Sequence, residues 1–383
     1  MAAMRMRNAL LAFKLQGAEG TAAALTAATD AVKVENIQIK MNPTQTDNNE
    51  LSGGLDMGEG FVGGMSCDIS FDIKLAGSAA AGTAPDWGKI MRAMGWAETI
   101  TAAAVPVAPE ACAAGSTTTA TLGAGASATA GTYAGMPIVV TGTAAGTYAI
   151  IDYSGSKVAT LGQTAGAAIS ASSNYQIPVN VLYTLVSSAI GYATIGIWRD
   201  GVQWLFQDCR GGWSIAMKAN APSTMSCKLK GIFVSHIDAA VPTIPAFTAP
   251  AAPVWKAGEM LMNRLPARVS TFNIDSGISP VMPDDPNATE GFGAPELTSR
   301  KVTATLDPLK TLVATRDLIG ALRAGTKYPL VARCGSSAGN RLLITAPAAK
   351  VMGDDEQDRQ GLVAENVNLH LVGTNSAVTI CVY

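Results

Sequence analysis

The side chains that most often carry catalysis are sparse in this chain of 383 residues, which contains two histidines, His236 and His370. Neither has a metal-ligand spacing or a nucleophile elbow around it, so both are read as structural. Six cysteines, Cys67, Cys112, Cys209, Cys227, Cys334 and Cys381, are scattered without a CxxC pair. A zinc site needs paired thiols or thiols with imidazoles, so the expectation is reduced thiols packed as small hydrophobes. Gly58-Glu59-Gly60-Phe61-Val62-Gly63 matches GxGxxG. That motif cradles a pyrophosphate only where a strand passes into a helix N-terminus. Here an alternating run follows, and a flexible loop is expected instead. Asp354-Asp355-Glu356, with Asp358, resembles a calcium loop only in its acidity, because the central glycine and terminal glutamate are missing from their positions. These four residues are read as a solvated turn or a channel-facing loop, and Asp284-Asp285 in the same way. No catalytic, cofactor-binding or metal-binding residue is expected, and the chain is not expected to be an enzyme.

The elements around these residues are strands. Val32-Lys33-Val34-Glu35-Asn36-Ile37-Gln38-Ile39-Lys40 and Met65-Ser66-Cys67-Asp68-Ile69-Ser70-Phe71-Asp72-Ile73-Lys74-Leu75 alternate apolar with polar residues, as a sheet buried on one face requires. Residues 42–64 between them are polar and Gly-rich and are expected to form a long loop. Residues 83–95 are expected to form a helix capped by Thr83, with Trp87, Ile90, Met91 and Met94 on one face and Gly95 as its stop. Arg199-Asp200-Gly201 between two β-prone runs is a hairpin signal. After a segment with four prolines, Pro242, Pro245, Pro250 and Pro253, the order recurs: a strand over 269–275, a polar loop over 280–296, a strand over 299–306, a helix over 315–325 with a capped start and Gly stop, then further strands. An internal duplication is the expectation. Four parts follow: a first unit formed by 1–111 with 180–240, an Ala/Thr/Gly-rich inserted β-domain over 112–179, a stiff Pro-rich linker over 241–253, and a second unit over 254–383. The fold class is mainly β with some helix (α+β).

Composition agrees with a protein that associates with itself. Charged residues make up 15% of the chain, below the roughly 25% usual for soluble domains, and the formal net charge is −2. Little repulsion opposes contact between copies, and the balance is not that of a nucleic-acid-binding surface. Arg5 and Arg7 precede the apolar run Ala9-Leu10-Leu11-Ala12-Phe13, which is shorter than a secretory signal core and is followed by Lys14. Secretion is not expected, and no stretch is long enough for a membrane helix.

Several stretches, taken in order, carry a family resemblance. They are Leu10-Leu11-Ala12-Phe13-Lys14-Leu15, Ala18-Glu19-Gly20-Thr21, and Ala27-Ala28-Thr29-Asp30-Ala31-Val32-Lys33-Val34-Glu35-Asn36. Phe71-Asp72-Ile73-Lys74-Leu75-Ala76-Gly77-Ser78, Gly82-Thr83-Ala84-Pro85-Asp86-Trp87-Gly88 and Met91-Arg92-Ala93-Met94-Gly95 continue the series, and Leu229-Lys230-Gly231-Ile232-Phe233-Val234 fits it too. The series resembles the tail tube (major tail) proteins of long-tailed bacteriophages, here of a duplicated type with an inserted β-domain, over residues 8–100 and 190–383. No single motif is diagnostic. The resemblance implies two tandem β-sandwich or barrel units, each flanked by one helix. It implies homo-oligomeric rings, with six units from three chains around a channel, stacked into a tube. DNA would pass through without specific binding. The location would be the virion tail, with the host cytoplasm during assembly, and the partners tape measure, terminator and baseplate proteins. In that frame Thr46, Asp47, Asn48, Asn49, Glu50, Leu51 and Phe61 of the first long loop, and Asp284, Asp285 and Phe292 of the second, are candidates for contacts between chains or rings. No membrane partner or cofactor is implied. The alternatives are another tail ring, baseplate or terminator protein, or an adhesion or carbohydrate-binding module carried by the insert.

Overall fold

The computed structural model describes residues 4–51, 53–243, 247 and 250–383. Met1, Ser52 in the first polar loop and Pro245 in the Pro-rich linker lie outside the described residues. The protein is mainly β: among the described residues, strands fall into a 17-stranded and a 7-stranded sheet, beside three short helices.

Within the large sheet one pairing order occurs twice. In the first half, Glu35–Asn48 pairs with Gly58–Lys74, then Thr224–Asp238, Val202–Lys218, Ala193–Arg199, Ala9–Leu15 and Ala31–Val32, all antiparallel. In the second half, Thr271–Asp275 pairs with Thr303–Leu306, then Leu362–Leu371, Leu342–Arg359, Lys327–Cys334, Glu259–Met262 and Leu265–Pro266. The strands of each half also follow one another along the chain in the same sequence. The halves join where the end of Val202–Lys218 pairs with Thr271–Asp275, Ser214 opposite Asp275 and Lys218 opposite Thr271. A second seam is Asn180–Leu185, held between Trp96–Thr101 and Thr379–Val382.

Alternation explains why these strands share a core. Ile69, Phe71 and Ile73 face inward with Trp213, Ile215 and Met217, and the layer continues through Phe272, Ile274, Leu369 and Leu371. Side chains at every second position lie on one sheet face, so a single register buries the whole set. Asp200 and Gly201 both take positive φ, 45° and 106°, and close the hairpin between Arg199 and Val202 as that dipeptide predicts.

Four expectations are corrected. The loop over 42–64 is mostly strand: Gln45 pairs with Val62, Thr46 with Phe61 and Asn48 with Gly58. Both faces of this arm are solvated, so no alternation marks it. The acidic residues 354–358 are likewise not a loop but the far end of Leu342–Arg359, with Asp355 opposite Asn366 and Glu356 opposite Glu365. The helix over 83–95 shrinks to Gly88–Arg92, without a side-chain cap, because residues 78–87 close turns around Ser78, whose hydroxyl donates to Ala80 O and Thr83 O. Its apolar face is nevertheless buried as read. In the second half the helix is Leu318–Ala324, capped by Asp317, which accepts from the Gly320 amide at 2.7 Å, and ended by Gly325 at φ 67°. The first half also carries an additional one-turn helix, Ala27–Asp30.

The 7-stranded sheet runs from Val105 to Ile177, so the boundary at 112 falls just beyond its first strand, Val105–Ala111. Two prolines in that strand hid it from sequence reading; Pro suits edge strands, and this one lies at the sheet's edge. The insert packs against the rest of the chain. Its buried residues form one cluster with Leu182, Leu261, Val331, Leu343, Cys381 and Tyr383, all outside the insert. Arg333 donates to Thr147 O at 2.9 Å, and Arg264 to Leu161 O at 3.0 Å, along the same contact.

Candidate functional site

The groups that could do chemistry are dispersed. His236 stacks on Trp204 with ring centroids 3.7 Å apart, and His370 lies opposite Thr303 and Lys350 within the sheet. All six thiols are free and buried; burial pushes Cys112 and Cys334 up to about 11 and the other four higher, away from the reactive thiolate. The glycines of the GxGxxG match lie in the arm strand Gly58–Lys74, with no helix after them. Asp354 and Glu365 are both raised from the ordinary carboxyl value, first by burial, then by the charge of Asp354 for Glu365 and of Asp355 for Asp354. Lys310, paired with Glu356, offsets part of this. Neither described groove is lined by Asp354 or Glu365. Among the described residues no three His, Cys, Asp or Glu side chains gather as metal ligands do.

Assembly features are concentrated instead. Among the described residues several strands, Trp96–Thr101 and Val105–Ala111 included, pair on one side only, and two such stretches stand where the repeated pairing order begins and ends. One is Glu35–Asn48, paired with Gly58–Lys74 alone. The other is the distal part of Leu342–Arg359, beyond Lys350, paired with Leu362–Leu371 alone. Open edges of this length invite another strand unless blocked. Their charges differ: the first carries Glu35, Lys40 and Asp47 in mixed sign, while Asp354, Asp355, Glu356 and Asp358 lie along the second.

The arm built from 42–64 carries Leu51, Leu55, Phe61 and Val62, all strongly exposed, beside Thr46, Asp47, Asn48, Asn49 and Glu50. Exposed apolar residues concentrated on one projecting element mark a contact surface. The second candidate segment is different. Asp284 bridges to Phe292 and Val281 to Glu296, making a narrow folded-back loop. This loop lies against the first half: Glu290 accepts from the Met65 amide at 2.9 Å, and Glu296 pairs with Arg210 at 2.7 Å. Arg210 is buried, stacks over Tyr192 at 3.5 Å, and also donates to Ile190 O and Gly191 O. Burial raises the Tyr192 hydroxyl to about 12, keeping it protonated as a donor to Glu19 and Glu296. Sequence reading missed Arg210 and Tyr192, since nothing local distinguishes them.

A groove of about 910 Å³ lies beside the first open edge, lined by Met6, Val34, Ile37, Trp87 and Phe247 among others. No family model matches the chain, and no curated protein matches it either.

Proposed function

We propose that this chain is a structural virion protein: a tail tube subunit of a long-tailed bacteriophage that assembles into stacked rings around a channel for DNA. The observation that carries the reading is the repeated pairing order with an open edge at each end of the repeat. A unit that already joins its own second copy edge to edge, and leaves the same two kinds of edge exposed, is built to continue the series. Two units per chain give three chains for a pseudo-sixfold ring. The acidic 354–358 segment and the net charge of −2 suit a conduit through which DNA must slide, because lysine and arginine contacts to phosphate would retain it. Tape measure, terminator and baseplate proteins are the partners this role requires.

Negative-stain microscopy of the concentrated, purified chain tests the reading. Class averages are expected to show rings with an open centre, three chains each, some stacked. A species that stays monomeric at every concentration overturns it.

A further inference from the structure

We infer that the junction between the two halves of one chain is the pattern for its junction with a second copy, so that residues 36–40 of one copy pair antiparallel with residues 355–359 of the next. The inference deepens the assembly reading and rests on it.

Three parts of the internal junction have counterparts left open at the ends of the repeat. The first is the edge itself. Within the chain, residues 214–218 pair with Thr271–Asp275. The counterpart of Thr271–Asp275 is the open strand Glu35–Asn48, since each forms the end of its half beside the same neighbour. The counterpart of 214–218 lies on Leu342–Arg359. Cys209 is the last residue of its strand paired with Ala193–Arg199, and Lys350 is the last paired with Lys327–Cys334. Equating them places 214–218 on 355–359. The inward residues Phe272 and Ile274 match Ile37 and Ile39, which are partly buried against the core. This register sets Gln38 opposite Gln357 and Lys40 opposite Asp355, a pair of opposite charge.

The second part is the hairpin tip. In the first half the tip after Val202–Lys218 is seated on the second half: Asn220 donates to Trp255 O at 3.0 Å, Trp255 to Ala221 O at 2.9 Å, and Ala219 to Ser270 O at 2.8 Å. Trp255 and Ser270 stand just before the strands Glu259–Met262 and Thr271–Asp275. The corresponding positions before Ala9–Leu15 and Glu35–Asn48 include Met6 and Val34, which line the 910 Å³ groove. The corresponding tip, Gln360-Gly361, is followed by Leu362 and Val363, 56% and 54% exposed. Exposed apolar side chains would then meet the apolar part of the groove, formed by Met6, Val34, Ile37, Trp87 and Phe247 beside Lys33, Glu35 and Lys74.

The third part is the overlay. The folded-back 281–296 loop reaches from the second half onto the first through Glu290 and Glu296. Its counterpart is the arm over 42–64, whose exposed Leu51, Leu55, Phe61 and Val62 then lie on the second half of the neighbouring copy. The contact is head to tail, so it closes a ring or runs on as a filament, and it cannot stop at a twofold dimer.

Cysteine cross-linking in the full chain tests this, because all six native thiols are buried and do not compete. Gln38→Cys and Gln357→Cys are made separately, mixed, assembled and mildly oxidised. Lys40→Cys with Asp355→Cys serves as a second pair. Each mixture is expected to give a cross-linked dimer that neither variant gives alone. Leu362→Asp with Val363→Asp is expected to raise the assembly threshold at least about tenfold. Rings without the mixed cross-link overturn this junction and leave the assembly reading standing. A dimer from Gln38→Cys alone overturns it too, since like edges would then be paired. A wild-type chain that never assembles overturns both.

Discussion

Glu110 shows how a carboxylate can hold a fold together without catalysing anything. It accepts from the Tyr175 hydroxyl and from the Ala124 and Gly125 amides, each at 2.9 Å, tying the insert's first strand to the following loop. These bonds, the tyrosine's first, hold its carboxyl below the ordinary range. A depressed carboxyl contributes stability above its unfolded pKa and loses it as pH falls through the folded one. Glu110→Gln is therefore expected to lower the melting temperature at pH 7, with the gap to wild type closing towards about pH 3. Asp354 has the opposite sign. Burial raises it, and its Oδ1 has no hydrogen-bond partner among the described residues. The neutral form is favoured in the fold, so stability is fullest below the unfolded pKa and declines as pH rises through the raised value. Asp354→Asn is expected to raise the melting temperature at pH 7 and to leave it unchanged near about pH 3. Thermal melts of both variants across that range check the two signs against each other.

At the scale of elements, the insert and the second half share one apolar cluster, in which Leu343 is 1% exposed and lies on Leu342–Arg359, outside the insert. Leu343→Ala is expected to cost about 2–5 kcal/mol, as buried leucines do. It is also expected to loosen the insert with the strand that bears it, so calorimetry should show one transition for both. A separate, unshifted insert transition would mean that the cluster is not shared. Deleting 112–179 should accordingly destabilise the rest of the chain by exposing Leu182 of the first unit and Leu261, Val331 and Leu343 of the second. This contact explains where sequence reading stopped. Strands buried on one face, such as Ile69 to Ile73, were legible because alternation reports burial directly. The arm over 42–64 and the acidic end of Leu342–Arg359 were taken for loops because strands solvated on both faces carry no alternation. The helix at 318–324 was legible, but its cap was not, since Thr315 and Asp317 are both good capping types and only backbone geometry chooses Asp317. Of the candidate contact residues, those over 46–61 lie on the exposed arm, whereas Asp284, Asp285 and Phe292 lie on a loop folded back against the first half. The open edges beside them could not be read, because an edge is defined by the strand that is missing, and no local pattern records that.

For the whole molecule, the question is what force joins copies, and the charge balance constrains the answer. A net charge of −2 over 383 residues supplies neither strong attraction nor strong repulsion between identical surfaces. The inferred junction draws on three sources of different salt sensitivity. Backbone hydrogen bonds between edges and the burial of Leu362, Val363 and the arm residues are little affected by screening. The Lys40–Asp355 pair lies at an exposed edge and is worth about 0.2–1 kcal/mol, fading once the Debye length falls to about 3 Å at 1 M salt. Losing it entirely would weaken each junction by less than about tenfold, since 1.4 kcal/mol corresponds to that factor. Salt also strengthens apolar burial when its ions are excluded from the protein surface, which works in the other direction. Sedimentation velocity between about 0.05 and 1 M salt is therefore expected to show an assembly threshold that moves by less than about tenfold. Under the same conditions a Lys40→Ala variant should differ from wild type more at about 0.05 M than at about 1 M salt, because screening removes the pair from wild type as well. Dissolution of the rings by 1 M salt would mean that charge, and not strand pairing, holds the copies together, and the edge-to-edge junction would fail with it.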